Sequence, residues 1–333
     1  MARLLKLLFL GLLIVAAAGL DAQRQLQSPL RLSEPTVFEI RAGTAFAVAL
    51  RDLDARGLLP SPRTALYLRL QARLREQSSR IQSGEYQLLP GMTVEQAIAL
   101  FASGKTITYE LRIVEGWTFA QALAALRSHP QVDHQLPADA PQQAMQALGL
   151  PGVHPEGRFF PDTYRFRRGT SDLTLLRQAF QAMERVLAEE WSGRAPDLPY
   201  RTPDEALVMA SIIEKETGAA FERPQIAGVF VRRLRLGMRL QTDPTVIYGL
   251  GDRFDGNLRL RDLRADTPYN TYTRGGLPPT PIALPGRAAI HAALHPDDGD
   301  AIFFVARGDG THEFSATLAQ HVSAVRRYQL KQH

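Results

Sequence analysis

Residues 202–218 read TPDEALVMASIIEKETG. Thr202 suits an N-cap, Pro203 the first helical position, and Glu205 the acid of a capping box. Gly218 fits a C-terminal stop, so the stretch is predicted to be one helix. Leu207, Ala210, Ser211 and Glu214 follow the spacing of a single helix face, and Glu214 continues a face that is otherwise small and apolar. A carboxyl group there is partly desolvated, which raises its proton affinity and makes it a candidate general acid. The same position equally suits a carboxylate paired with a neighbouring arginine. Glu216 points elsewhere on the helix and is expected to be solvated.

Working outward, the 333-residue chain is long enough for two folded units after an N-terminal segment. It contains no cysteine, which excludes disulfides and thiolate metal sites. A net charge of +5 suits plain solubility and also an acidic polymer partner. No nucleic-acid module, nucleotide loop, serine nucleophile elbow or cofactor fingerprint is present, so no cofactor and no nucleic-acid partner are expected.

Arg3 and Lys6 precede the apolar run Leu7 to Leu20, which predicts an N-terminus held on the cytoplasmic side. Residues 1–20 are a transmembrane anchor or, given the small residues Ala16 to Ala18 and Ala22, a signal peptide. Residues 21–35 carry two prolines and read as a linker. Thr36 to Ile40 is predicted as a strand. Helices follow with Phe46, Leu50 and Leu53 on one face, then Leu66, Leu70 and Leu74, then Val94, Ala97, Ile98 and Phe101, with an extended segment at 83–88 between the last two. Lys105 to Val114 alternates like a strand. Further helices are expected after Gly116, over about 172–192 and through Arg232, Arg233 and Arg235. The chain is expected to end with a strand at 301–306, a turn at 309–310 and a helix over about 317–331. Mixed elements without a βαβ rhythm indicate an α+β fold.

Three further strings stand out: EGRFFPDTYRF at 156–166, RRLRLGMRLQTDPTVIYGLG at 232–251 and PYNTYTRGGLPPTPIALPG at 268–286. With the EKET segment they resemble the endolytic murein transglycosylases of the YceG-like family, collinearly from about residue 36 to the end. The resemblance implies a LysM-like subdomain over 36–105, which either binds glycan or serves as a platform, and a catalytic domain over 106–333. It implies an uncleaved single-pass anchor in the inner membrane with the catalytic domain in the periplasm. The implied reaction cleaves the β-1,4 bond after N-acetylmuramic acid within peptidoglycan strands and leaves 1,6-anhydro ends. Its partners would be glycan strands, the membrane and the wall synthases. The family's acid/base would be the first glutamate of EKET, here Glu214.

One carboxyl group suffices for that reaction, whereas a hydrolase adds a second. Glu156 and Asp243 are the other acids within the family-like strings. Asp243 precedes a proline and suits a turn; Glu156 suits substrate orientation or an arginine partner. Gln241, Thr242, Tyr269, Asn270, Thr271 and Tyr272 offer the amide, hydroxyl and aromatic groups that a pyranose needs, and the tyrosines equally suit packed core rings. His291 and His295 have a zinc-compatible spacing, but no third ligand is apparent, so no metal site is expected. A hydrolytic muramidase using Glu156 or Asp243, and a non-catalytic peptidoglycan-binding scaffold, remain as rivals.

Overall fold

The computed structural model describes residues 2–75, 81–137 and 141–330. The chain opens with α1 (Ala2–Gln27), of which Arg3–Gln27 is long and apolar enough to cross a membrane, with a mean hydropathy of 2.2 over its 18-residue apolar window. Its large apolar side chains from Leu4 to Val15 are exposed. There follow β1 (Thr36–Ile40), α2 (Phe46–Ala55), α3 (Pro62–Arg75), β2 (Gly84–Leu88) and α4 (Val94–Ser103). Strand β1 pairs with β2 antiparallel and sets Phe38 opposite Tyr86. Phe101 on α4 stacks on Phe38 at 5.4 Å and meets Tyr86 edge-on at 4.9 Å, which closes an aromatic core.

Two expectations change here. Residues 21–27 continue α1 instead of forming an irregular linker. Asp21 and Gln25, one turn apart, take hydrogen bonds from Tyr67 (2.7 Å), Ser61 (2.7 Å) and Thr64 (3.0 Å), so the polar end of α1 is docked along its own face. Helix α3 forms as predicted but buries another face. Thr64, Ala65 and Leu68 point inward, while Leu66 and Leu70 are exposed. Small residues on the inner face let α3 lie close to its neighbours, and the leucines face outward as a consequence. The side chain of Leu74 lies outside the described residues.

Next come β3 (Tyr109–Arg112), α5 (Phe119–Ser128), α6 (Pro141–Ala147) and β4 (Thr163–Phe166), with β3 paired to β4. The chain divides into two compact units within these strands. The first runs to Tyr109 and takes in Phe166–Arg168; the second holds Glu110–Arg165 and the chain from Gly169. In the first unit, buried Glu85 accepts hydrogen bonds from Tyr109 (2.6 Å) and Arg168 (2.6 Å), which ties these late residues to β2.

The second unit continues with α7 (Asp172–Ser192), α8 (Pro203–Glu216), α9 (Arg223–Arg235), α10 (Asp243–Leu250), α11 (Leu260–Arg264) and α12 (Arg287–Leu294). A hairpin of β5 (Phe303–Ala306) and β6 (His312–Ser315) and a final helix α13 (Leu318–Tyr328) complete it. Helix α8 packs against α7, α9, α10 and α12. Every residue from Ala206 to Ile213 is buried, so the helix is enclosed on all sides instead of on the one face expected. With strands paired only two by two among the described residues, the architecture is α+β.

The face assignment of α3 makes a direct prediction. Leu68→Ala should cost about 2–5 kcal/mol by opening a cavity, whereas Leu66→Ala should stay within about 0.5 kcal/mol. Equilibrium urea unfolding of both variants measures the difference, and equal losses would refute the assignment.

Candidate active site

Helix α8 delivers two carboxyl groups to two different places. Thr202 caps its start by accepting the Glu205 N–H (3.2 Å), and Glu205 accepts the N–H of Arg201 (2.5 Å), one residue before the cap. Midway, Ser211 donates to the Val208 carbonyl (2.7 Å) and accepts the Ile282 N–H (2.9 Å), so its burial leaves nothing unpaired. The helix ends in extended backbone at Thr217, not in a left-handed glycine at 218.

Glu214 is 6% exposed at its side chain. One oxygen accepts the N–H of Gly286 (3.0 Å), the N-cap of α12, and the other faces Arg223 at 3.4 Å. Burial pushes its pKa above the ordinary carboxylate value, the Gly286 N–H and Arg223 pull it back, and Glu115 pushes it up again. Glu115 lies directly over Gly286, where a Cβ would fall 1.9 Å from its carboxylate oxygen. The loop carrying Glu115 is stitched down by Gly116 N–H to Leu284 O (2.9 Å), Leu284 N–H to Trp117 O (2.7 Å) and Lys215 to Gly116 O (3.2 Å). Sequence reading missed Glu115; the only signal was the Glu-Gly pair that recurs at 156–157.

Glu216 corrects an expectation, for it is half-buried instead of solvated. Its Oε2 accepts the Thr242 hydroxyl at 2.8 Å. Burial raises its pKa to about 7; the Thr242 hydroxyl and Arg233 oppose that rise, and Asp243 adds to it. Glu216 lines a cleft of about 480 Å³ together with Arg233, Gln241, Asp243, Tyr272 and His312. Gln241 has a left-handed backbone (φ 51°), unusual for a residue with a Cβ. Hydrogen bonds from Gln241 N–H to Thr271 O (3.2 Å) and from Thr242 N–H to Thr271 Oγ1 (3.1 Å) hold it there.

The candidate sugar contacts therefore divide. Gln241, Asp243 and Tyr272 reach the cleft, with the Tyr272 hydroxyl donating to Asp243 at 2.6 Å. Thr242 and Thr271 are buried and build the loop. Asn270, 1% exposed, spends its amide on the carbonyls of Asp262 (3.2 Å), Leu263 (3.1 Å) and Ala265 (2.7 Å) and its oxygen on the Tyr272 N–H (2.9 Å). It is a loop clamp with no group left for a ligand. Tyr269 stands with a different group: its hydroxyl meets Thr280 at 2.8 Å and its ring meets Tyr248 edge-on at 4.9 Å. Tyr248 in turn donates to buried Glu156 (3.1 Å), which also accepts the N–H of Phe119 at the start of α5 (2.9 Å). Burial raises Glu156 to about 7, but both its oxygens bond to the fold and it does not line the Glu216 cleft.

The arginines of α9 are not a solvated face. Arg232 donates to the Ala301 and Asp297 carbonyls, Arg233 to those of Ile302 and Leu240, and Arg235 to that of Asp197. Glu190 on α7 is the third ligand type that the sequence did not reveal beside His291 and His295, all three within 4.8 Å. Glu190 also pairs with Arg287 at 3.0 Å and bonds His291 at 2.8 Å. A second cleft, about 790 Å³, lies beside the start of α8 and is lined by His154, Arg158, Arg201 and Asp204. Glu214 lines neither cleft.

The model of the YceG-like family matches residues 38–327. An endolytic murein transglycosylase of Bacillus subtilis is 30% identical over 95% of this chain and 91% of its own length. One from Streptococcus pneumoniae is 34% identical over 51% of this chain and 32% of its own length. A crystal structure of a YceG-like protein from Listeria monocytogenes aligns over 87% of this chain and 99% of its own, at 30% identity and a TM-score of 0.55.

Glu216 binds its proton more tightly in the folded protein than in the unfolded chain. Its contribution to stability is therefore present at low pH and is lost as pH rises from the ordinary carboxyl value of 4.5 through about 7. Glu216→Gln should flatten that fall, as measured by equilibrium unfolding at about pH 5 and about pH 8. Identical slopes in wild type and variant would show that Glu216 titrates as a solvated acid.

Proposed function

The chain belongs to the YceG-like family, and from that membership we propose that it is an endolytic lytic transglycosylase of peptidoglycan. It cleaves the bond between N-acetylmuramic acid and N-acetylglucosamine within glycan strands, leaves 1,6-anhydro-N-acetylmuramic acid ends and so limits strand elongation. The observation that carries this reading is a carboxyl group with a pKa near 7, facing an open cleft walled by amide, carboxylate and phenol groups.

The geometry favours Glu216 over Glu214 as the acid/base. Glu214 is held by a backbone N–H and an arginine away from the cleft. Glu216 has one hydroxyl partner and open space before it. In the proposed reaction Glu216 protonates the departing glycosidic oxygen. The muramoyl 6-hydroxyl, tethered in the same ring at a high effective concentration, closes on the anomeric carbon, and its proton returns to the Glu216 carboxylate. Gln241, Asp243 and Tyr272 hold the sugar. Glu214 and Glu115 act as positioning residues that set the last turn of α8.

Asp243 supports one rival, because a second carboxylate in the same cleft could activate water. Product mass separates the two reactions. Digests of purified peptidoglycan should contain non-reducing anhydro ends, lighter by one water than hydrolytic products, produced from within strands. Reducible muramic acid ends would establish a muramidase working through Asp243. Intact strands bound to folded protein would establish a scaffold. Glu216→Gln should lower the rate by at least about a hundredfold without loss of folding. Glu214→Gln should cost less in rate and more in thermal stability, and the reverse order would return the role to Glu214.

We read α1 as a single-pass inner-membrane anchor that sets the second unit in the periplasm, with the wall synthases as neighbours. Support comes from its length, its hydropathy and the basic residues at its start. Membrane fractionation should recover the intact N-terminus, whereas a soluble product beginning near Gly19 or Gln23 would show a cleaved signal. The first unit is read as the LysM-like subdomain, supported by its strand–helix–helix–strand order with the two strands antiparallel.

A further inference from the structure

His312 is unused by the mechanism above, yet it lines the same cleft as Glu216. It opens β6, the second strand of the hairpin, and its side chain is 12% exposed. Phe304 meets its ring edge-on at 5.3 Å, and Phe314 lies 6.4 Å away, so the ring has little freedom to turn. Its partner is Glu222, 2% exposed, at the start of α9. One Glu222 oxygen accepts the backbone N–H of His312 at 2.9 Å, and the other lies 2.8 Å from Nδ1. In the neutral imidazole, a carboxylate that only accepts places the proton on Nδ1 and leaves Nε2 as the acceptor. Among the described residues Nε2 has no hydrogen-bond partner. The same Glu222 oxygen also faces the hydroxyl of Thr217 at 3.5 Å, the residue immediately after Glu216.

A histidine needed only to hold the hairpin would have the backbone bond to Glu222 and the aromatic packing. It would not need a buried carboxylate fixing one tautomer beside an acid. Buried carboxylate–imidazole pairs set which ring nitrogen is left for chemistry, and mispairing the carboxylate reverses the tautomer. We propose that His312 is a substrate-contacting residue of the Glu216 cleft, the Nε2 of its neutral ring accepting a hydrogen bond from a hydroxyl of the bound glycan strand, with Glu222 as the positioning residue that holds the proton on Nδ1 and fixes the ring. The inference rests on the glycan-cleaving function proposed above for that cleft.

The test uses the full chain in detergent, purified peptidoglycan strands, and nitrogen-15 NMR of the imidazoles. Wild type should show His312 protonated at Nδ1. In Glu222→Gln the side-chain amide becomes a donor towards the ring, so the proton should move to Nε2. Its cleavage rate should fall at least about tenfold, the loss of one buried hydrogen bond to substrate. His312→Ala should show a similar loss, mainly in KM, and His312→Gln, which restores an acceptor, should recover part of it. Circular dichroism melts identify any variant that does not fold, and the tautomer shift in Glu222→Gln then carries the decision. Folded His312→Ala with wild-type kcat and KM, or an unchanged tautomer in Glu222→Gln, would overturn the inference while leaving the transglycosylase reading intact. A wild-type chain that binds strands without cutting them would overturn that reading instead. His312→Ala must then weaken strand binding by a similar factor, and unchanged affinity would overturn the His312 contact.

Discussion

The second unit depends on the complete burial of α8. A helix covered on every side has no solvent face on which to carry charge, so its carboxyl groups are confined to the first turn and the last. Glu214 and Glu216 leave that last turn about 200° apart, the consequence of two residues in a helix of 3.6 residues per turn. One is driven into the packing against α12. The other emerges towards the loop at Thr242 and the cleft. Helix phase thus sends the two carboxyl groups to different surroundings as soon as the helix is enclosed.

Partners then set the proton affinities. Glu214 has a backbone N–H at the start of α12 and a guanidinium, both of which favour its charged form. Burial raises Glu216 to about 7; the Thr242 hydroxyl and Arg233 favour its charged form, and Asp243 favours its protonated form. Glu156 reaches a similar affinity by burial, but an N–H and a phenol occupy its oxygens. A raised pKa identifies none of the three as the acid by itself. Of the three, Glu216 is the one that lines the cleft with Gln241, Asp243 and Tyr272.

The wall of the cleft shows how polar residues are divided between building and presenting. Asn270 clamps three carbonyls of the segment around α11, and Thr271 anchors the left-handed turn at Gln241. These internal bonds hold Gln241, Asp243 and Tyr272 against the entropy of an otherwise mobile loop. The strain at Gln241 persists because its neighbours over-determine it.

The sequence by itself determined the local elements. Capping residues and apolar spacing located α2, α4, α5, α7, α8 and α13, and the unusual strings at 232–251 and 268–286 held Gln241, Asp243 and Tyr272, which line the cleft. By resemblance it also pointed to the first glutamate of EKET, Glu214. Tertiary structure alone decided the surroundings of Glu214 and Glu216, because burial all round α8 and the approach of Thr242 are contacts between residues far apart in the chain. It likewise spent the Asn270 amide on loop carbonyls, turned α3 to bury Ala65 and Leu68, committed the α9 arginines to carbonyls and brought Glu115 onto Gly286. Periodicity reports that a helix has an apolar face and a carboxyl a place on it. Desolvation and hydrogen-bond partners depend on what the rest of the chain brings alongside, and no local pattern encodes that.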